Sequence, residues 1–363
     1  MDTAVRTGRL SAARTAVCFV ALSLVLAACS SEEGGGDAGS PGDGCEGETV
    51  TIAQSAPSFI HFPLYVMLGA EMLESAGLSS EVTDVGGGAE VVSAAVSGSV
   101  DVASATFGSQ LRAVQAGAPI KSVASTEDLH GLHFVVKQSV LDEAGITSEA
   151  AGIEDLGVLE GLRIGISSPG SGSDALSRLL LQLGGFDPDR DAQIVALGDS
   201  AAMLAAFQQD ELNALAVSAP VSYVAIEQAE GAFLFNFPRG DLPQFGDLQY
   251  MTYFSGERAI DGRADVLQCF VDAHAKALEM MQDEPEAALE AARSFMDNVE
   301  DDALYEEIAN DYLASFPASP VLQQDKVERA IEMEKSLEGA EPITIGFDDI
   351  VDNTFAERAG GGQ

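Results

Sequence analysis

Residues 161–185 have the sequence GLRIGISSPGSGSDALSRLLLQLGG. The segment 162–167 predicts a short buried strand, because it is apolar and bounded by turn residues. A Ser/Gly/Pro turn follows, and then a helix whose leucines recur on one face. Ser171 and Asp174 have the spacing of a capping box at the start of that helix. A strand that leads through a glycine-rich turn to a helix N-terminus leaves backbone N–H groups that a small ligand can accept from.

The turn therefore supplies the first group of predicted ligand-binding residues. They are Ser168, Gly170, Ser171, Gly172 and Ser173. The same residues also fit an ordinary helix cap that binds nothing. The turn has no lysine of a P-loop and is not G-x-G-x-x-G, so it matches neither nucleotide-binding motif.

Strand and helix patterns alternate through most of the chain, which predicts α/β layers with mostly parallel sheets. A first round covers strands near 49–55, 81–85, 100–103 and 120–125, and a second covers strands near 133–136, 162–167, 192–196 and 214–217. The two rounds resemble each other, which predicts two lobes of similar build. From residue 261 to about 337 the chain is helical and acidic, and we expect these helices to pack on the first lobe.

In open α/β sheets, ligands bind at the carboxyl ends of the strands. The loops expected at that edge carry hydroxyl groups, glycines and flat side chains that can stack or donate. They add the candidates Ser55, Phe59, His61, Phe62, Gly87, Gly88, Thr106, Phe107 and Ser218. The alternative for the first loop is that Phe59 and Phe62 belong to the core and His61 is an exposed cap. Arg239 is the best basic candidate for an anionic ligand, whereas Asp174 in the first turn of the helix opposes one.

The N-terminus predicts export. Residues 1–28 combine three early arginines with a short apolar run, as in a secretory signal peptide. The run ends in Leu-Ala-Ala-Cys, which resembles a bacterial lipobox, so we expect Cys29 to carry a lipid; the alternative is a plain signal peptide. Residues 29–47 are Gly, Ser and acid, and predict a flexible tether. The expected location is the extracytoplasmic face of the cell membrane, with the lipid as the only membrane contact.

Composition excludes several classes of protein. The formal net charge is −40, which argues against nucleic acid as a partner. No second apolar stretch could cross a bilayer, so a channel or permease is not expected. The four histidines have no companion cysteines or clustered carboxylates, so neither a metal nor a cofactor is expected. Cys45 and Cys269 form an even pair in an exported chain, and either a disulfide or two buried free thiols would fit.

A series of short motifs stands in order along the chain. They are Pro63-Leu64-Tyr65-Val66, Gly86-Gly87-Gly88, Ser99-Val100-Asp101-Val102-Ala103, Ala116-Gly117-Ala118-Pro119-Ile120, Glu154-Asp155-Leu156, Gly161-Leu162-Arg163-Ile164-Gly165-Ile166, Gly170-Ser171-Gly172-Ser173 and Phe186-Asp187-Pro188. In this order they resemble the solute-binding proteins of ABC importers in the nitrate, sulfonate, taurine and thiamine-precursor family.

The resemblance implies a type II periplasmic-binding-protein fold, with two α/β lobes joined by two crossing segments. Lobe 1 would comprise 48–130 and 250–355, and lobe 2 would comprise 131–249. A monomer would clasp a small molecule between the lobes and deliver it to ABC permease subunits, without catalysis. The ligand would be a flat heterocycle such as a thiamine precursor, or an aromatic or sulfonate anion.

Two other functions stay open. The family includes a pyrimidine-precursor synthase that consumes its own histidine, and His61 falls where its pyrimidine-binding members carry a histidine. That enzyme's cysteine-rich iron motif has no counterpart here, and the chain has no G-x-S-x-G hydrolase elbow. A lipid-anchored receptor that feeds a membrane sensor would use the same residues.

Overall fold

The protein is described by a computed structural model that covers residues 45–297, 299–337 and 342–360. The predicted signal peptide, the predicted lipid site Cys29 and the tether up to residue 44 lie outside the described residues. None of the described helices has the length and apolar character needed to cross a membrane.

The described residues contain ten strands and fifteen α-helices, besides six short 3-10 helices. The strands are β1 (Thr49–Gln54), β2 (Ser79–Asp84), β3 (Val102–Thr106), β4 (Ile120–Glu127), β5 (His133–Lys137), β6 (Arg163–Ile166), β7 (Gln193–Ala196), β8 (Ala214–Val217), β9 (Gly231–Asn236) and β10 (Met251–Gly256). The helices are α1 (Phe62–Gly69), α2 (Met72–Ser75), α3 (Gly88–Ser97), α4 (Phe107–Gln115), α5 (Gln138–Ala144), α6 (Gly172–Leu183), α7 (Ser200–Gln208), α8 (Val221–Gln228), α9 (Glu257–Gly262), α10 (Ala264–Asp283), α11 (Pro285–Ala292), α12 (Asp302–Tyr312), α13 (Gln324–Lys335), α14 (Phe347–Ile350) and α15 (Thr354–Gly360).

The strands form two five-stranded sheets, each at the centre of one α/β lobe. The first sheet has the order β2-β1-β3-β10-β4 and the second has the order β7-β6-β8-β5-β9. Each sheet begins with three parallel strands of a βαβαβ unit and then takes in one strand that is antiparallel to both of its neighbours. The two orders are the same pattern, as the repeat between the two sequence rounds predicts.

The sheets are mixed rather than mostly parallel. Two of the four strand pairings in each sheet are antiparallel, because β10 and β5 each enter their sheet directly from the other lobe. The chain crosses between the lobes twice, at residues 128–132 and at residues 237–250. The lobe boundaries given by the sequence, 48–130 with 250–355 and 131–249, stay a proposal.

The C-terminal helices pack mainly on the first lobe. Helix α10 contacts β1, α1, α2 and α15, and its apolar stripe, which includes Phe270, is buried. Helix α11 lies so close to α1 that a Cβ on Gly69 would overlap the backbone carbonyl of Ala291. Helix α1 ends at Gly69, and the short α2 begins after Glu71, which takes a left-handed conformation with φ of 52°.

A disulfide joins Cys45 to Cys269. It connects the residue at which the described chain begins to the second turn of α10, with 6.7 Å between the two Cα atoms. Of the two states left open by the sequence, the structure has the bonded one. The disulfide closes a loop with a sequence separation of 224 residues, which restricts the unfolded chain.

Replacing both cysteines, as Cys45→Ala with Cys269→Ala, should lower the free energy of unfolding by about 2–5 kcal/mol. Urea unfolding of both proteins with and without dithiothreitol measures this. The reductant should destabilise the native protein and leave the double variant unchanged, and equal stability of the two oxidised proteins would contradict the prediction.

Candidate functional site

A cavity of about 120 Å³ lies between the two lobes, where strands of both sheets end. It has room for on the order of ten water-sized groups. The first lobe contributes residues after β1, at the start of α3 and in β3, and the second lobe contributes residues around the starts of α6, α7 and α8. The position at the carboxyl ends of strands in both lobes is the one that open α/β sheets use for ligands.

Neutral hydroxyl groups supply nearly all polar side chains in the wall of this cavity, which also contains glycines and eight apolar residues. The hydroxyl-bearing lining residues are Ser55, Ser58, Ser104, Thr106, Ser167, Ser171, Ser173, Ser200, Ser218 and Tyr250. Among the described lining residues there is no Lys, Arg or His, and Asp199 is the one carboxylate. Asp199 is exposed, and its Oδ1 accepts a hydrogen bond from the Ala202 N–H at 2.8 Å, which caps α7. A ligand in this cavity is therefore met by uncharged donors and acceptors.

The Ser/Gly turn forms the start of α6, as the sequence predicts, but its capping differs in detail. Ser171 Oγ accepts from the Asp174 N–H at 3.4 Å, which is one half of a capping box. The Asp174 carboxylate accepts from the Gly170 N–H at 2.7 Å rather than from the N–H of Ser171. Ser173 Oγ accepts from the Ser167 N–H and lies 2.8 Å from Ser171 Oγ, so the cavity-lining hydroxyls of the turn form a connected chain.

Eight of the predicted ligand-binding residues line the cavity. They are Ser55, Gly87, Gly88, Thr106, Ser171, Gly172, Ser173 and Ser218. Gly172 has a specific reason to lack a side chain, because a Cβ there would lie 2.8 Å from Thr106 Cγ2 and 3.2 Å from Tyr250 Oη. Their role in binding stays a prediction.

The structure places three predicted aromatic residues in the core instead of the cavity. Phe59, Phe62 and Phe107 are at most 1% exposed. The rings of Phe59 and Phe62 stack on each other with 5.8 Å between centroids, and Phe59 also packs on Tyr312. Burial of these large apolar rings favours the core, which is the alternative that the sequence left open for Phe59 and Phe62.

Ser168, Gly170 and Arg239 also lie outside the cavity wall. Ser168 faces Gly87 of the first lobe, and the Gly170 carbonyl accepts from Arg112 of that lobe at 2.6 Å. Arg239 forms an ion pair with Asp241 at 3.1 Å, two residues along the chain. That local partner keeps Arg239 at the surface and away from the ligand site predicted for it.

His61 is buried directly behind the wall, and it is not the exposed cap that the sequence allowed. It is 2% exposed, and its two ring nitrogens hydrogen-bond to the cavity-lining hydroxyls of Ser55 and Ser104. Burial lowers the pKa of His61 to about 3. The imidazole is therefore neutral at physiological pH.

Tyr250 is a cavity residue that the sequence reasoning missed. It lies at the end of the second crossing segment, and it is 5% exposed. Hydrogen bonds from its N–H to the Glu127 carbonyl and from the Phe107 N–H to its own carbonyl fix its backbone. Within the described part of the chain its Oη has no hydrogen-bond partner, and burial raises its pKa well above 10, so it stays a neutral phenol. Only the register of β10 against β3 brings it to the cavity, and no local motif marks it.

Comparison with known proteins agrees with this architecture. Residues 45–296 match the model of the NMT1-like family. The chain belongs to the NMT1-like family. No curated protein matches the chain.

Solved structures show the fold of this NMT1-like protein. A protein from Bordetella bronchiseptica RB50 is 18% identical, with a TM-score of 0.74, and 86% of this chain and 97% of that chain are covered. The ligand-binding component of an ABC-type import system from Staphylococcus aureus, with zinc bound, is 16% identical with a TM-score of 0.66, covering 86% and 99%. A Candida albicans protein described as having the generic periplasmic binding protein fold is 17% identical with a TM-score of 0.62, covering 83% and 92%. The NMT1-like chain thus has the periplasmic-binding-protein fold, as its sequence predicts.

Polar contacts join the two lobes around the cavity of the NMT1-like protein. Ser58 Oγ donates to Ser218 Oγ at 2.6 Å, and the Phe59 N–H donates to the Ala219 carbonyl at 3.1 Å. Arg112 of α4 forms an ion pair with Glu334 of α13 and donates through Nη2 to the Gly170 carbonyl. Arg112 therefore holds the Ser/Gly turn of the second lobe against the first.

Replacing Arg112 with Ala should loosen this turn. We expect the amide groups of residues 168–173 to exchange hydrogen with solvent faster, because the Gly170 carbonyl loses its charged cross-lobe donor and keeps only the longer hydrogen bond from Ser109 Oγ at 3.3 Å. Hydrogen-exchange mass spectrometry measures the effect. Arg329→Ala is the matched control, because Arg329 forms exposed ion pairs with Asp247 and Asp325 instead. Equal exchange in the turn of both variants would show that Arg112 does not hold it.

A buried carboxyl group lies where the first crossing segment begins. Glu127 is fully buried, and Ser315 donates to its Oε1 at 2.9 Å. Burial raises the pKa of Glu127 well above its usual 4.5; the Ser315 hydrogen bond opposes that rise, and Asp128 adds to it. The folded state therefore holds a proton that the unfolded chain releases as the pH rises through 4.5.

Because the unfolded chain binds fewer protons over that range, Glu127 lowers stability progressively as the pH rises above 4.5. Glu127→Gln should remove this loss, so the variant gains stability over the native protein by up to about 1.4 kcal/mol per pH unit above 4.5. Urea unfolding at pH 4 and pH 7.5 tests this. A stability difference that is the same at both pH values would contradict the raised pKa.

Proposed function

We propose that this NMT1-like protein is the extracytoplasmic solute-binding component of an ABC importer. The observation that carries the proposal is the hydroxyl-lined cavity between the lobes, with groups from both lobes in its wall. The small volume fits a solute of on the order of ten non-hydrogen atoms, such as a small heterocycle or an aromatic or sulfonate anion. The protein returns its solute chemically unchanged.

Binding and lobe closure are coupled in this arrangement. A solute that contacts both walls binds the closed state better than the open state, so it shifts the population toward closure. The closed surface is then what the permease subunits recognise. Each hydrogen bond to the solute contributes about 1 kcal/mol net, and burial of its apolar surface adds about 25 cal/mol per Å². The translational and rotational freedom that the solute loses on binding offsets part of these gains.

The N-terminal segment completes the proposal. A lipid on Cys29 would keep the protein at the outer face of the membrane, and residues 29–47 would let the lobes reach the permease. The protein acts as a monomer, with permease subunits as its protein partners and the lipid as its membrane contact. If the membrane partner that co-purifies with the protein is a sensor kinase, the protein feeds a receptor instead of an importer.

The proposed cavity is tested with Gly172→Ala. Its Cβ would push Thr106 and Tyr250 out of place, so the lobes could not close on a solute as they do in the native protein. In a thermal-shift screen of heterocycles, amides, carboxylates, sulfonates and nitrate, a true solute at 100 times its Kd should stabilise the native chain by about 2.7 kcal/mol. We expect Gly172→Ala to weaken binding of that solute by about tenfold or more.

Gly157→Ala is the matched control, because no atom lies within 4 Å of the Cβ it would add. It should bind as the native protein does. If Gly172→Ala bound the solute with native affinity, the cavity would not be the binding site. Recovery of a chemically altered solute after denaturation would contradict a pure binding role.

A further inference from the structure

His61 connects two serines of the cavity wall. Ser55 Oγ lies 2.9 Å from His61 Nε2, and Ser104 Oγ lies 3.1 Å from His61 Nδ1. Both serines line the cavity, whereas the imidazole lies behind them. Ser55 follows β1 and Ser104 lies in β3, its parallel neighbour, so the sheet itself holds the two hydroxyls on opposite sides of one ring. We refer to Ser55, His61 and Ser104 together as the serine–histidine relay.

The chemistry of imidazole gives the two hydroxyls different roles. A neutral imidazole has one N–H donor and one lone-pair acceptor. The serine that faces the lone pair must donate its single proton to the ring, and it can then only accept from a ligand. The serine that faces the N–H accepts from the ring and keeps its own proton for a ligand. Either tautomer therefore gives the cavity one acceptor and one donor at this place.

A charged imidazole would change the hydrogen-bonding roles of the two wall serines. The imidazolium ion has two N–H donors, so both serines would accept from the ring and both could donate to a ligand. Two such donors suit an oxyanion. Burial of His61 opposes this state, and its lowered pKa of about 3 keeps the ring neutral.

The remainder of the described wall offers an anion the N-termini of helices such as α6 and α7, but no cationic side chain. The described lining residues include no cationic side chain, and the carboxylate of Asp199 adds a negative charge at the α7 end. A carboxylate or sulfonate has only acceptor atoms, so it would leave the accepting serine of the relay without a donor. The buried phenol of Tyr250 can donate to a ligand of either class, so its presence does not exclude either one.

We propose that the serine–histidine relay selects an uncharged solute, with at least one hydrogen-bond donor and one acceptor, over an oxyanion of the same shape. The inference rests on the proposed function, since it requires the solute to bind in this cavity. His61 is a positioning residue here: it acts on the solute through the two serines.

The state of the ring can be measured without a ligand. In the full-length chain labelled with ¹⁵N-histidine, His61 should show one protonated and one unprotonated ring nitrogen from pH 5 to pH 8. The signal is assigned by its loss in His61→Gln. An imidazolium signal in this range would overturn the proposal, because both serines would then be free to donate.

Selectivity is measured with probes of matched shape. Nicotinamide, nicotinate and pyridine-3-sulfonate share one ring and differ in the charge and donors of one substituent. Calorimetry at pH 7 with the full-length chain should give a Kd for nicotinamide about tenfold or more below the Kd values of the two anions. An anion that binds as tightly as the amide, and still loses affinity in Gly172→Ala, would overturn this inference while leaving the proposed function in place.

Variants separate the relay from a structural role of His61. Ser104→Ala removes one of the two hydroxyls and should reduce the amide-to-acid preference, whereas Ser200→Ala removes a lining hydroxyl outside the relay and should weaken both classes equally. His61→Gln retains one donor and one acceptor and should keep part of the preference, while His61→Leu should lose it. An unchanged preference in Ser104→Ala and in His61→Leu would overturn the relay. No binding by any compound of the wider screen in either class would overturn the proposed function, and this inference with it.

Discussion

Strand β10 hydrogen-bonds to both β3 and β4, although the whole second lobe lies between β4 and β10 in the sequence. Removing it would split the first sheet, because no direct pairing joins β3 to β4 in their order. The same strand leads into α9 and α10, so the helices that cover the first lobe depend on its position. Its antiparallel register places Met251 opposite Thr106, and this pairing brings Tyr250 to the cavity. The first sheet, its helical layer and the cavity wall thus depend on one strand, which the chain reaches only after passing through the second lobe.

The charge of the molecule and the chemistry of its cavity differ sharply. The chain has a formal net charge of −40, yet the described cavity wall consists of hydroxyl-bearing residues, glycines and apolar residues, with Asp199 as its one charged side chain. A strongly negative surface lowers the local concentration of anions around the protein, although salt screens this field beyond about 8 Å at physiological ionic strength. An uncharged solute approaches without that barrier. The long-range field and the short-range hydrogen bonds of the wall therefore favour the same class of ligand.

Much of the fold could be predicted from the sequence, because it depends on local patterns. The Ser/Gly turn and the leucine stripe predicted β6 and α6, and the alternation of strands and helices predicted two α/β lobes. The mixed character of the sheets could not be predicted, since it depends on where the crossing strands insert. The site shows the same division: Gly172 and Thr106 follow from being at strand ends, whereas Tyr250 depends on a long-range register. Arg239 lies outside the cavity wall and forms an ion pair with Asp241, two residues along the chain.

For His61, the sequence indicated a position near the cavity but not the burial of the side chain behind the wall. The sequence indicated His61 as a residue that would contact the ligand, and burial removes it from that contact. His61 acts on the cavity indirectly, because each of its ring nitrogens is hydrogen-bonded to a serine of the wall. A neutral ring donates to one of these serines and accepts from the other. The cross-lobe hydrogen bonds from Ser58 to Ser218 and from Phe59 to Ala219 join neutral groups, and each contributes about 1 kcal/mol. A bound solute adds several hydrogen bonds of similar strength. A solute group that cannot hydrogen-bond to one of the wall serines therefore lowers both the affinity and the fraction of the protein with closed lobes. In the proposed function, the choice of solute by the cavity wall and the closure of the lobes therefore belong to the same binding equilibrium.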